Sequence, residues 1–421
     1  MNNPRSEKYL YQLLSHISYG NLTVVDHRGQ KHDFGVPATQ PHVSVTIKDA
    51  RLYDKLFSMG SIGLGESYMD GWWDVEADNL VGLLGILMRS SMSAKARRDY
   101  GLLFNILLHN LRTSPNKLSN RLRNVSYHYD LGNDFYRLFL DSSLTYTCGL
   151  QLADDDTLLQ MQLQKYDFIC QKLALRPGEE VLDIGCGWGG FLIYAAKRYG
   201  IKGKGVTLSA EQAGLAQQRI EALGLTDQIK IEIKDYQQVQ ESFDKIVSIG
   251  MFEHVGKRNF AVFAKKVNSL LRDKGLFLLH TIGTVSIIRN DPWVIRYIFP
   301  GGFLPRHEEF AKAIHKASMT VVQIDNLKPH YATTLQKWLE TFRENGQKIY
   351  ALSPSYDKKF MRMWSYYLQS CQAGFRFNNL QLYQILACKN ESYPVSRPIH
   401  LDLATVARNA RDSIHLFSEF V

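Results

Sequence analysis

The chain has 421 residues, 45% of them hydrophobic, 12% aromatic and 22% charged, proportions that exclude a disordered, collagen-like or coiled-coil protein. At roughly 100–200 residues per domain the length suits two or three domains, with core enough to fold unaided. Fifty basic residues against 41 acidic ones leave a formal charge of +9, a moderate excess that fits an anionic partner, nucleic acid or an acidic membrane surface. Five scattered cysteines with no C-x-x-C read as free thiols in a reducing compartment and offer neither a disulfide framework nor a zinc site. The opening MNNPRSEKYLYQLL lacks the apolar core and cleavage site of a secretory signal. No stretch approaches the ~18 apolar residues of a membrane span. A cytoplasmic location is expected.

Alternation at Asn21–Asp26 and His42–Lys48 predicts two strands in a small N-terminal α+β region. Gly60–Asp74, GSIGLGESYMDGWWD, reads as a glycine-rich turn followed by aromatics, with no lysine to make it a phosphate loop. Between Ile86 and Arg123 eight bases face one acid, a net +7 within 38 residues. Inside that window Tyr100, Leu103, Phe104, Leu107, Leu108 and Leu111 keep the spacing of an amphipathic helix. Such a helix suits anionic lipid headgroups, and it equally suits packing on its own domain with a solvated basic face.

From Thr157 the pattern becomes regular. Helical runs at 157–174, 190–200, 209–224, 257–272 and 307–317 alternate with apolar strands at Val181–Ile184, Gly203–Leu208, Ile229–Lys234, Phe243–Ile249, Gly275–Thr281 and Met319–Asp325. Repeated βα units of this kind predict a doubly wound, Rossmann-like α/β domain whose sheet is buried on both faces. Helices at Thr333–Tyr350 and Tyr356–Ala373 and a strand at Gln381–Cys388 follow.

VLDIGCGWGGF, residues 181–191, is a buried strand that ends in Asp183 and opens into a helix. Gly185, Gly187 and Gly190 fit the dinucleotide fingerprint. Asp183 at the strand end argues against a pyrophosphate, which it would repel, and for an amino-acid ammonium, which points to S-adenosylmethionine (SAM). The string D-x-G-x-G-x-G, from Asp183 through Gly185 and Gly187 to Gly189, is also similar to motif I of class I methyltransferases. The second strand ends in Thr207, Leu208 and Ser209 without the usual acidic ribose ligand, so Thr207 and Gln212 are the candidates for the ribose. Asp235 and Tyr236, after the third strand, suit an adenine.

Six strings occur in order: GLGESYMDGWWD at 63–74, YHYDLGNDFYRLFLDSSLTYTCG at 127–149, MFEHVG at 251–256, LLHTIG at 278–283, DPWVIRYIFPGG at 291–302 and HYATTL at 330–335. In these strings the chain resembles the cyclopropane-fatty-acyl-phospholipid synthases from about residue 50 to 390. The resemblance implies a class I SAM-methyltransferase fold and methyl transfer from SAM to the cis double bond of a phospholipid acyl chain. The resulting carbocation loses a proton to a bound bicarbonate as the ring closes. It implies bicarbonate contacts at Cys148, Glu253, His280, Ile282 and Tyr331, with His128 a further candidate, and SAM contacts at Tyr146 and Thr147. It also implies a homodimer, and unsaturated phospholipid in an anionic membrane surface as the partner, met by a cytoplasmic protein that associates peripherally and transiently. Taken singly the residues have duller readings: Cys148 as a small buried hydrophobe, His280 as a structural histidine, Glu253 as a helix-terminal acid, Tyr331 as loop packing.

The expected organisation is an N-terminal lipid-docking domain at 1–110, a basic linker at 111–126, the catalytic domain at 127–390 and an extension at 391–421 with no assignable role. Three other readings rank lower. A non-cyclising methyltransferase would share the SAM loop. An NAD-dependent oxidoreductase would need an acid where Thr207 and Ser209 stand. A nucleic-acid binder would rest on the basic window alone.

Overall fold

A computed structural model describes residues 4–37, 40–92, 131–286, 290–389 and 401–418. The basic window beyond Met92, with the amphipathic helix expected there, and His128 lie outside the described residues. The chain forms two compact units, and neither is one contiguous block. One gathers the described residues up to 92 with 291–298 and 346–379; the other takes most of the rest.

The smaller unit holds a four-stranded sheet, in the order β2-β1-β3-β4, from β1 (Asn21–Val25), β2 (Lys31–Gly35), β3 (His42–Ile47) and β4 (Trp73–Val75). Leu22, Val24, Val43, Val45 and Ile47 are buried at alternate positions, as a half-buried sheet requires. Ser61–Met69, expected as a glycine-rich turn, is instead a helix. Its glycines weaken it locally, but they allow close approach: a Cβ on Gly63 would lie 2.2 Å from the Lys55 carbonyl oxygen, and one on Gly65 would lie 2.4 Å from the Trp293 ring. Tertiary packing has overridden propensity here. The helix Lys358–Phe377 joins this unit through Arg362, which donates to the Trp73 carbonyl at 3.0 Å and to Asp74 at 2.7 Å. The same guanidinium lies 4.0 Å from the centre of the Tyr68 ring.

The larger unit holds β5 (Glu180–Ile184), β6 (Lys202–Thr207), β7 (Ile229–Ile233), β8 (Phe243–Ile249), β9 (Leu271–Thr284), β10 (Met319–Asn326) and β11 (Leu380–Lys389). The sheet order is β10-β11-β9-β8-β5-β6-β7. Pairing is parallel from β9 through β8 and β5 to β7, and β11 runs antiparallel to both of its neighbours. This is the doubly wound α/β sheet expected from the alternating pattern. Adjacent residues feed opposite cores: Leu276, Leu278 and Leu386 join one, Phe277, Leu279 and Ile385 the other. That explains the continuous apolar runs. The order reverses between β5 and β8, so the carboxyl ends of those two strands form the crevice where open α/β sheets bind ligands.

Helix Leu158–Lys172 covers the first of these cores. Thr157 and Gln160 close a reciprocal cap at its start. The segment expected as one helix at 333–350 is two, Lys328–Glu344 and Gly346–Leu352. Leu327 precedes the first of these, with Pro329 in its opening turn where a missing N–H costs nothing. Tyr331 therefore sits in a first helical turn rather than in a loop.

The C-terminal extension, opaque in the sequence, closes the same face of the sheet. Helix Leu403–Asp412 places Asn409 Nδ2 3.1 Å from Asp167 Oδ1. Tyr194, Tyr199 and Gln171 also donate to this buried carboxylate. Phe417 is fully buried in the core, 5.5 Å from the Arg219 guanidinium. Removing either anchor should loosen the domain. Phe417→Ala is expected to cost about 3–5 kcal/mol through cavity formation, and Asn409→Ala about 1–3 kcal/mol by removing one of the donors to a buried carboxylate. Urea unfolding measures both, and an unchanged midpoint for Phe417→Ala would contradict the packing.

Candidate active site

The glycine loop leaves β5 at the reversal point. Gly185, Gly187 and Gly189 all take positive φ, at 86°, 53° and 78°, a conformation that side chains resist. Gly190 is conventional, but a Cβ there would lie 2.6 Å from the Tyr166 hydroxyl. Asp183 is buried and its Oδ1 has no hydrogen-bond partner among the described residues. Desolvation pushes its carboxyl up to about 7, opposed by the Lys165 charge. A buried carboxylate oxygen lacking a donor is the group an amino-acid ammonium would satisfy, so the loop fits SAM.

The other predicted SAM residues are distributed as follows. Thr207 donates to Gln212 Oε1 at 3.1 Å, which turns the Gln212 amide nitrogen away as a donor for a ligand. Leu208 follows β6, and Ser209 caps the next helix. Asp235 uses Oδ1 to accept from the Gln237 N–H at 2.8 Å, while Tyr236 packs edge-on against Phe263. Tyr146 lies in an aromatic wall, its ring 5.2 Å from Trp338 and 5.5 Å from Tyr136. The Thr147 hydroxyl accepts from Lys165 Nζ at 2.7 Å.

A second group gathers around the ends of β8 and β9. Ile249 pairs with His280, and the Gly250 N–H donates to the His280 carbonyl at 2.9 Å. Just beyond, Glu253 stands in a 3₁₀ turn, Phe252–His254. Its Oε1 accepts from the Ile282 N–H at 2.6 Å, whereas Oε2 is buried without a partner among the described residues. Burial pushes the Glu253 carboxyl up to about 7. His280 is buried, and desolvation together with the Lys165 and Lys172 charges holds it well below the usual histidine value. Its Nδ1 lies 3.1 Å from Gln384 Nε2, and its Nε2 has no partner among the described residues.

Cys148 joins this group through two contacts. Thr334 Oγ1 accepts from the Gly149 N–H at 3.1 Å and lies 3.8 Å from Cys148 Sγ, one helical turn beyond Tyr331. A Cβ on Gly250 would meet the Thr147 methyl at 2.6 Å, which sets the 146–149 segment against the end of β8. Burial pushes the Cys148 thiol up to about 12, so it is no nucleophile at neutral pH. The structure thus links Cys148, Glu253, His280, Ile282 and Tyr331 into one neighbourhood. His128 cannot be placed within it, being outside the described residues.

Sequence reasoning missed Lys165, Thr334 and Gln384. Lys165 is buried and donates to Thr147 Oγ1 and, at 2.8 Å, to Gln162 Oε1; desolvation pushes it down to about 7. Its one signal was its helical spacing to Met161, Phe168 and Ile169, which puts it on an apolar stripe. Thr334 and Gln384 carried none. Among the described residues no cluster suited to a metal ion occurs and no helix is long and apolar enough to cross a membrane.

The sequence profile of the mycolic acid cyclopropane synthetase family matches residues 116–385. The chain belongs to this family. It is 38% identical over 353 residues to the cyclopropane-fatty-acyl-phospholipid synthase of Escherichia coli K12, covering 81% of this chain and 87% of that one. A probable fatty acid methyltransferase of Pseudomonas putida is 35% identical, with 86% and 90% covered. The solved mycolic acid cyclopropane synthase CmaA1, complexed with SAH and CTAB, superposes with a TM-score of 0.59 at 34% identity, covering 64% of this chain and 98% of that one. As a member, this chain is a SAM-dependent methyltransferase with the class I fold.

The half-paired Glu253 carboxylate has a consequence for stability. Its carboxyl is held at about 7, above the unfolded value of about 4.3, so the folded state binds the proton more tightly. Stability is full below the unfolded value and falls as pH rises toward 7. Glu253→Gln keeps an acceptor for Ile282 and removes the charge. It is expected to raise unfolding stability at pH 8 by about 1–3 kcal/mol, with the gain vanishing near pH 4, as paired urea titrations would show. A gain equal at both pH values would point to another cause.

Proposed function

We propose that this enzyme transfers the SAM methyl to the cis double bond of a phospholipid acyl chain and closes a cyclopropane ring, with bicarbonate taking the proton released. The observation that carries the reading is the complementary pair of unpaired buried atoms, Glu253 Oε2 and His280 Nε2. Bicarbonate carries one O–H donor and acceptor oxygens, so a free carboxylate oxygen and a ring N–H match it in kind. When bound it would supply a small exchangeable base beside an apolar chain. Glu253 would receive its hydroxyl hydrogen and His280 would donate to its oxygens, with Cys148, Ile282 and Tyr331 completing the wall and His128 a further candidate contact.

Asp183 would hold the SAM ammonium. Gly185, Gly187 and Gly189 would let the loop backbone approach the methionine portion. Tyr146 and Thr147 would flank the donor, Thr207, Leu208 and Gln212 would meet the ribose, and Asp235 and Tyr236 the adenine. An alkene is a weak nucleophile, so orientation in a water-poor site is the main task of the chain. The aromatic wall of Tyr136, Tyr146, Trp338 and Tyr331 offers π-faces to a developing cation without amines that would compete for the methyl. The same reading makes the protein a cytoplasmic homodimer that binds anionic membranes peripherally, with the basic segment Ile86–Arg123 as docking element. The second reading, a methyltransferase that leaves a branch or an alkene, is favoured by the name of the Pseudomonas putida relative.

Purified protein with labelled SAM, bicarbonate and cis-unsaturated phospholipid vesicles separates the two. The expected product gains one CH2, loses its olefinic proton signals and shows high-field ring protons. The same mass with surviving alkene or a branched methylene would establish the non-cyclising reading. Asp183→Asn is expected to weaken SAM binding about ten- to hundredfold. Wild-type affinity should fall as pH drops below about 7, where Asp183 is protonated and Lys165 is charged, and the variant should show a shallower fall by calorimetry. Replacing Arg97, Arg98, Arg121 and Arg123 together with Gln should weaken flotation with anionic vesicles; unchanged flotation would reject that docking segment.

A further inference from the structure

Three polar residues lie side by side across three strands. In the register of the sheet His280 of β9 faces Gln384 of β11, and Gln384 faces Asp325 of β10. Lys172, in the last turn of helix Leu158–Lys172, reaches this row. Its Nζ lies 2.6 Å from Asp325 Oδ2 and 2.8 Å from Gln384 Oε1. Gln384 Nε2 then lies 3.1 Å from His280 Nδ1. Lys172, Gln384 and His280 are all buried, with 1%, 0% and 2% exposure, so water does not compete for these bonds.

The direction of each bond follows from its donors. An ammonium only donates, so the oxygen of the Gln384 amide must face Lys172. The amide nitrogen is thereby turned to His280, and an amide nitrogen also only donates. Nδ1 must accept and carries no hydrogen. A neutral imidazole has one N–H, which is left for Nε2, the atom with no partner among the described residues. Asp325 is fixed in turn, since Gln323 Nε2 donates to both of its oxygens at 3.1 and 2.9 Å.

We propose that Lys172 and Gln384 are positioning residues that lock His280 in the Nε2–H tautomer, making it a permanent hydrogen-bond donor to the site and not a base. An imidazolium is disfavoured as well, because its Nδ1–H would confront the Gln384 NH2. On the functional reading above, on which this role toward bicarbonate rests, proton removal from the lipid falls to the bound anion, because the His280 imidazole turns an N–H toward it and not a lone pair. The family profile and the relatives' names do not specify how this histidine is protonated.

The test is long-range 1H–15N NMR on the full-length protein labelled at histidine, with His280 identified by substitution to Ala. The expected wild-type spectrum has a protonated Nε2 and a bare Nδ1; the reverse assignment would overturn the proposal with no variant needed. Gln384→Glu sets a carboxylate opposite Nδ1 and should move the proton there, whereas Lys172→Arg, still a pure donor, should keep the wild-type tautomer. An unmoved proton in Gln384→Glu would also overturn it. In the lipid assay Gln384→Glu should raise the bicarbonate needed for half-maximal rate about tenfold or more, with SAM affinity unchanged. If the tautomer moves and the bicarbonate requirement does not, the lock stands and the assignment of His280 to the anion falls.

Discussion

One helix carries two lysines and an aspartate into the interior, and much of the larger unit is arranged around satisfying them. Lys165, Asp167 and Lys172 of Leu158–Lys172 are each at most 1% exposed, and a buried charge without partners costs several kcal/mol. Each is answered by a different part of the chain. Lys165 finds Thr147 and Gln162 beside the candidate active site. Asp167 finds two tyrosines and the C-terminal Asn409. Lys172 finds the cross-strand row ending at His280. The same helix thus tethers the extension through Asp167 and, by the proposal above, sets the protonation of His280 through Lys172.

The strands and their two-faced burial were plain in the sequence because a sheet covered on both sides needs uninterrupted apolar runs, and a βα alternation leaves few topologies. The helix Ser61–Met69 was not plain. Its glycines are there for the approach of Lys55 and Trp293, and Trp293 lies more than 200 residues along the chain, so no local signal announces the packing. The break at Asn345 between two helices was likewise invisible in a periodicity that continues across it. The C-terminal helix has an ordinary amphipathic pattern, and its purpose appears only once Asp167 is known to need a donor.

For the site the balance is different. Asp183, the glycines, Glu253 and His280 were readable because ligand-binding loops leave strand ends in recognisable strings. Their charge states were not readable. A string shows an acid and an imidazole; it does not show that burial holds Glu253 near 7 or that a glutamine from a distant strand faces Nδ1. Gln384 is separated from His280 by 104 residues, and only strand register makes them neighbours.

The common feature of the site is the suppression of charge. The Cys148 thiol is pushed up to about 12, Glu253 and Asp183 up to about 7, and His280 is held neutral. Each shift has burial as its largest cause, and burial is what an acyl chain requires of the wall it lies against. A site dry enough to hold a lipid tail therefore cannot maintain a strong base or a free thiolate of its own. Under the proposed reaction the proton must leave through something that the chain does not own permanently. Fixed donors and one half-titrated carboxylate are then the appropriate equipment: they can hold a small anion in place and let it exchange with water once it is protonated.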